Sequence, residues 1–211
     1  MPTLAPTPGI SIDSIAEKVY AGERISPEDA LFLFNHPNLI DLATLANFQR
    51  QKKVPGRNVT YVVGRILNYT NVCWVRCKFC AFYRVPGHNE GYTLSEDEIL
   101  EKVRETVEVA EVTSNEKSAI RNPQSEICEI LFQGGLNPKL KIDWYEDIFR
   151  KIKSAYPQVI LHALSPAEII YIAHISKLRL EDALARLKAA GLHSIPGAGG
   201  EILVDRVRKI I

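Results

Sequence analysis

Cys73, Cys77 and Cys80 lie within eight positions of one another, at the spacing C-x3-C-x2-C. Thiolates are strong ligands for soft metals, and one short loop carrying three of them can wrap a single inorganic centre. Iron–sulfur clusters normally take four cysteine ligands, so three local ones leave one iron with an open position. Cofactor chemistry needs such a vacancy, by the same logic that leaves catalytic zinc one open site. The alternative is a zinc knot closed by His88, eight positions after Cys80. Four cysteines in 211 residues are too few for a disulfide scaffold, and crowding three of them points to metal or redox chemistry.

Other residues could serve the same centre. Gln133-Gly134-Gly135-Leu136 closes an apolar run, and backbone without Cβ lets a ligand approach closely; a plain turn is the alternative. Cys128, inside Ile-Cys-Glu-Ile-Leu-Phe, reads as a buried core thiol, with a fourth ligand as the alternative. His162 stands near the end of an apolar segment, either as a substrate contact or as a core histidine bonded to backbone. Ser165 reads as a helix N-cap. Glu201, after Pro-Gly-Ala-Gly-Gly, is a polar site residue or a solvated helix start. Arg65 and Tyr83 are further candidates beside the cysteine run.

The elements that must position these residues alternate. Val59–Leu67 is rich in β-branched residues and predicts a strand that ends just before the cysteines. Ser95-Glu96-Asp97-Glu98 is a capping box opening a helix to about Val109. Strands follow at Ile127–Phe132, Val159–Leu164 and His193–Pro196, separated by a helix at Asp143–Ala155 and helical sequence from Ser165 to Ala190. Ile202–Ile211 begins another helix. Strand alternating with helix argues for an α/β fold with a parallel sheet. The polar, aperiodic segment 111–126 reads as a surface loop or insertion. Ahead of this domain, residues 1–56 form a helical lead-in after a Pro-rich start, ending at Gln51-Lys52-Lys53-Val54-Pro55-Gly56. Ser11–Ala21 is its first helix, Ser26-Pro27-Glu28-Asp29 caps a second, and Leu39 to Gln51 is a third. The second domain is then 57–211.

Composition closes off several classes. With 26 Lys+Arg against 25 Asp+Glu, the near-neutral chain gives no electrostatic case for nucleic acid or an anionic membrane surface. The 46% hydrophobic content is that of an ordinary folded protein rather than a disordered one. No run approaches the ~18 uncharged apolar residues that a membrane-spanning helix needs. The opening MPTLAPTPGI lacks a cationic start and an apolar stretch, so the expected compartment is the cytoplasm.

The run Asn68–Arg84, NYTNVCWVRCKFCAFYR, resembles the signature of the radical S-adenosylmethionine (SAM) superfamily. The resemblance implies a [4Fe–4S] cluster on Cys73, Cys77 and Cys80, with Phe79 near the adenine of SAM and the Gly134-Gly135 pair contacting its amino group. It implies an open iron that chelates SAM, and an electron donor that reduces the cluster. Reductive cleavage then yields a 5′-deoxyadenosyl radical that abstracts hydrogen from a small-molecule substrate. The implied fold is a partial TIM-type (β/α) radical SAM barrel with the N-terminal helical lead-in.

Longer phrases, including RILNYTNVCWVRCKFCAFYR, LFQGGLNP, WYEDIF, LHALSPAEI and AGLHSIPGAGGEILVDRVR, are similar to the cyclic dehypoxanthinyl futalosine synthase family of menaquinone biosynthesis. The similarity runs from Arg57 to Arg208 and into the lead-in. It implies a nucleoside-type substrate, dehypoxanthine futalosine, cyclised after hydrogen abstraction from its ribose. Aminofutalosine synthase and the deazaflavin-forming synthase subunits share the cluster loop and glycine pair, and remain alternatives, as does a zinc-binding or inactive truncated module. Two departures stand out: the 111–126 insertion, and G-A-G-G at 197–200 where the family has a G-G-G-A-like order. Val59 to Ile211 is little more than half of the ~250 residues of a complete barrel, so the chain is expected to be C-terminally truncated.

Overall fold

The computed structural model describes residues 9–57, 62–115, 128–197 and 204–210. The chain divides into two compact units, Met1–Val59 and Thr60–Ile211.

In the first unit, caps written in the sequence start the helices. Ser11 accepts a hydrogen bond from the Ser14 amide and opens α1 (Ile12–Ala21), which Gly22 ends in the left-handed conformation at φ 81°. Ser26 caps α2 (Pro27–Asn35), with proline in its first turn. Asn38 caps α3 (Leu39–Lys53). Ile15, Val19 and Leu45 form the small core, and the buried Asp29 pairs with Lys18 at 2.8 Å.

The second unit is built on a four-stranded, all-parallel sheet in the order β1-β2-β3-β4, comprising β1 (Val63–Asn68), β2 (Cys128–Gln133), β3 (Ile160–Ala163) and β4 (Leu192–Ser194). Sequential order with a helical crossover after each strand is the pattern of a (β/α) barrel, as the alternation in sequence predicts. The crossovers are α4 (Glu96–Asn115), α5 (Ile142–Ala155) and the pair α6 (Pro166–Ile175) and α7 (Leu180–Ala190). A short α8 (Asp205–Arg208) follows β4.

Alternation along the strands sorts residues between two faces. Leu67, Ile130, Phe132, Leu161 and Ala163 are buried in the core shared with α4, α5, α6 and α7. The opposite face carries two registers of side chains across the sheet: Gly64, Glu129 and Ile160, then Ile66, Leu131, His162 and Ser194. This second face is open, with Ile66 65% exposed.

The largest differences from the sequence reading lie in two helical stretches. The helix expected to end near Val109 continues through Asn115. Polar residues remove the reason to bury a face but do not terminate a helix, and neither glycine nor proline intervenes before Pro123. The remainder of the 111–126 insertion lies outside the described residues. The helical stretch read as continuous to Ala190 breaks between α6 and α7, where Lys177 adopts φ 56° and the Leu178 amide returns to the Ala173 carbonyl at 2.9 Å. Ser176 accepts the Ile142 amide at 3.0 Å, so the break also anchors the start of α5.

Candidate functional site

The three cysteines follow the C-terminal end of β1, where barrel sites form. The chain leaves the sheet through Tyr69-Thr70-Asn71-Val72, and this stretch is held before the first cysteine is reached. Thr70 is fully buried; its Oγ1 donates to the Tyr92 carbonyl at 2.6 Å and accepts from Asn137 Nδ2 at 3.3 Å. Asn71 accepts from the Tyr92 amide at 2.7 Å and donates to the Glu90 carbonyl at 3.0 Å. The Cys73 amide donates to the Arg84 carbonyl at 2.9 Å, and the Arg84 amide donates to the Asn71 carbonyl at 2.8 Å. The base of the cysteine loop is therefore a closed, hydrogen-bonded ring rather than a free connection.

Within the loop the Cys80 amide returns to the Cys77 carbonyl at 3.2 Å, so these two cysteines share one turn. Cys73 is buried, Cys77 and Cys80 are half-buried, and all are free thiols. Burial, with the nearby Cys73 and Cys80, pushes the Cys77 thiol above its ordinary range. A coordinated metal cation reverses that preference by stabilising thiolate. Among the described residues, no three His, Cys, Asp or Glu side chains converge on one point where a single ion could sit. A closed zinc knot needs such convergence. A cluster needs no such single point, because each of its cysteines binds a different iron. His88 does share an open cleft of about 430 Å³ with Cys80, Arg84 and Glu90.

The glycine pair lies directly against the loop base. The Gly135 amide donates to the Thr70 carbonyl at 2.9 Å, and the Trp74 amide donates to the Leu136 carbonyl at 3.2 Å. A Cβ on Gly135 would overlap the Val72 carbonyl outright and stand 2.9 Å from Cys73 Cβ; one on Gly134 would stand 2.8 Å from the Tyr69 ring. The close approach that demands glycine is thus made by the chain's own backbone. Because the peptide is trans, pointing the Gly135 N–H at Thr70 turns the Gly134 carbonyl the opposite way.

The remaining candidates separate. Cys128 begins β2, five residues before Gln133 and on the helix-facing side, 1% exposed. At ~3.3 Å per residue that is about 16 Å from the glycine end, out of reach of the cysteine loop, so it is a core thiol. Arg65 points into α4, bonding the Lys102 carbonyl and Glu105. His162 lies on the open face, and its Nδ1 is 2.6 Å from Ser194 Oγ. Ser165 caps α6. Phe79 is 61% exposed on the loop. Glu201 and residues 198–200 of the G-A-G-G order lie outside the described residues.

Sequence reasoning missed Thr70, Asn71, Asn137 and the reach of Glu168. Asn-Tyr-Thr-Asn before the cysteines and Asn after the glycine pair are small polar residues at strand ends, which is the available signal. Glu168 reads in sequence only as the third residue of a capping box.

A family model for the radical SAM superfamily matches residues 67–211. The chain belongs to the radical SAM superfamily. Members of that family use an iron–sulfur cluster and SAM, and the loop of three thiols and the glycine turn lie within the matched span. Similar proteins include a cyclic dehypoxanthine futalosine synthase of Halalkalibacterium halodurans, 43% identical over 94% of this chain and 50% of that protein. A 5-amino-6-(D-ribitylamino)uracil–L-tyrosine 4-hydroxyphenyl transferase of Methanococcoides burtonii is 42% identical over 94% of this chain and 49% of its own length. The chain thus spans about half the length of the curated relatives it matches. Among solved structures, methylornithine synthase superposes with a TM-score of 0.51 at 15% identity, covering 87% of this chain and 58% of that one, a likeness of fold. Among the described residues, no helix is long and apolar enough to cross a membrane.

Proposed function

We propose that this radical SAM chain holds a [4Fe–4S] cluster on Cys73, Cys77 and Cys80 and binds SAM between the cysteine loop and the Gly134-Gly135 turn. The carrying observation is the trio of free thiols on a loop whose base is locked against the glycine pair. When bound, the reduced cluster and SAM supply a radical able to abstract hydrogen from unactivated carbon. The chain's own residues do the positioning. Thr70 and Asn71 hold the loop base, and Gly135 lets it sit flush against the turn. The Gly134 carbonyl, turned away from Thr70, is the acceptor offered to the amino group of SAM. Phe79, exposed on the loop, offers a face to the adenine.

The substrate reading is a nucleoside-type small molecule lying over the open face of the sheet, beside His162. Bonding of His162 Nδ1 to Ser194 leaves Nε2 as the free nitrogen to contact it. The overall reaction proposed is cyclisation of dehypoxanthine futalosine, supported by 43% identity to an enzyme of that name. The 42% identity to the aminouracil–tyrosine transferase supports a second reading, coupling of a tyrosine-derived fragment to a ribityl-aminouracil. In both readings an external electron donor reduces the cluster.

Anaerobic reconstitution with iron and sulfide tests the site. Brown protein with the visible absorbance of a [4Fe–4S] cluster is expected, and Cys77→Ser should abolish it. Unchanged iron content in that variant would overturn the ligand assignment. Incubating the reconstituted chain with SAM, reductant and each candidate substrate separates the two reactions by product mass.

A further inference from the structure

Glu168 does more than cap a helix. The same Ser-x-x-Glu box occurs twice in this unit. At Ser95 and Glu98 it is exposed, and the carboxylate bonds the Ser95 amide and hydroxyl, which lower its pKa. At Ser165 and Glu168 the carboxylate is 3% exposed, and burial pushes its pKa above the ordinary range. Its Oε2 accepts the Ser165 amide at 2.7 Å, which completes the cap. Its Oε1 accepts two further donors, the Tyr69 hydroxyl at 2.8 Å and the Gly134 amide at 3.0 Å. Tyr145 in turn lies 3.1 Å from the Tyr69 hydroxyl. Among the described residues no lysine or arginine pairs with this carboxylate. An anion buried without a cation is a burden on folding that an apolar residue would avoid.

The three donors belong to three successive strand ends. Tyr69 follows β1 and leads into the cysteine loop, Gly134 follows β2, and Ser165 follows β3. The chain also accepts strain to bring them together. Leu164, fully buried between β3 and the cap, holds φ 60°, where leucine is disfavoured, and its amide donates to the Phe132 carbonyl at 2.9 Å. Strain and a buried charge coincide beside the glycine turn.

We propose that Glu168 is the positioning residue of the cofactor site, fixing the glycine turn against the root of the cysteine loop so that its carbonyls stand ready for SAM. This rests on reading the two segments as the cluster and SAM sites. Glu168→Gln keeps the shape but places an NH2 group against backbone or hydroxyl donors in either amide orientation. Two readouts are needed: hydrogen exchange of the Gly134 and Gly135 amides in the metal-free protein, and SAM titration of the reduced cluster followed by electron paramagnetic resonance. In Glu168→Gln, iron content should match wild type, while amide exchange quickens and half-saturation by SAM rises about tenfold, the loss of one charge-assisted hydrogen bond. Should that variant lose its helical circular dichroism, Tyr69→Phe keeps the carboxylate and should shift the titration about threefold. A wild-type chain that takes up no iron overturns the cysteine reading. Wild type that responds to SAM beside a folded Glu168→Gln variant responding within about twofold overturns the role of Glu168 alone.

Discussion

Gly135→Ala is the sharpest test of how the cysteine loop is seated. The added Cβ would overlap the Val72 carbonyl oxygen and stand 2.8 Å from its carbon and 2.9 Å from Cys73 Cβ. Ordinary contacts lie at 3.4–4 Å, so the shortfall is about 0.5–1 Å against atoms that cannot rotate away. Val72 and Cys73 are backbone neighbours held by the Cys73–Arg84 and Trp74–Leu136 hydrogen bonds, and relief must displace the first cysteine. Overpacking of this kind costs about 1–3 kcal/mol, and rigid neighbours place it near 3. For a chain of this size, that lowers the thermal midpoint by about 6–12 °C. Thermal unfolding by circular dichroism checks the metal-free protein, and iron and sulfide analysis after reconstitution checks the site. Gly197→Ala is the control, because no described residue lies within 4 Å of its added Cβ, and its midpoint should stay within about 2 °C of wild type. If Gly135→Ala matched wild type in both midpoint and iron content, the argument that the glycine serves the loop's close approach would be refuted.

Cys128→Ala should leave iron content after reconstitution unchanged while lowering stability by about 1–2 kcal/mol, since the thiol is 1% exposed in the core; a drop in iron would restore the fourth-ligand reading. A pH prediction follows from Glu168, whose close titratable neighbours among the described residues are Tyr69 and Tyr145. Its folded-state pKa lies above the ordinary 4.5, so the folded state holds the proton more tightly than the unfolded chain does. Stability relative to Glu168→Gln is therefore greatest below pH 4.5 and falls as pH rises through the raised pKa, then levels off. Urea unfolding of both proteins across that range measures the difference, and a gap that widens in favour of wild type with rising pH would contradict the sign.

Much of the local structure was legible because its causes are local. Serine caps at positions 11, 26 and 165 reach only three residues, and each starts a helix where the sequence expects one. The break between α6 and α7 was not legible, since no glycine or proline marks it. It is made by Lys177 turning left-handed while Ser176 is taken by Ile142 of another helix. The end of α4 at Asn115 is not legible for a related reason, because low apolar content is no stop signal and polar residues continue a helix.

The cysteines themselves needed no fold to be found. C-x3-C-x2-C within one loop puts three thiols together as the proposed donors, and the strand–helix alternation predicts the parallel sheet with that loop at a strand end. Only the tertiary structure decided what surrounds them. Tyr69 and Glu168 are separated by 99 positions, and Gly134 and Glu168 by 34, yet one carboxylate oxygen joins all three. Cys128 carries the same thiol as the loop cysteines and is excluded purely by its place at the far end of β2. Spacing can announce a ligand because metal bonds are short and local. The buried charge, the strained leucine and the glycine contact belong to strand ends that meet only when the sheet closes ranks.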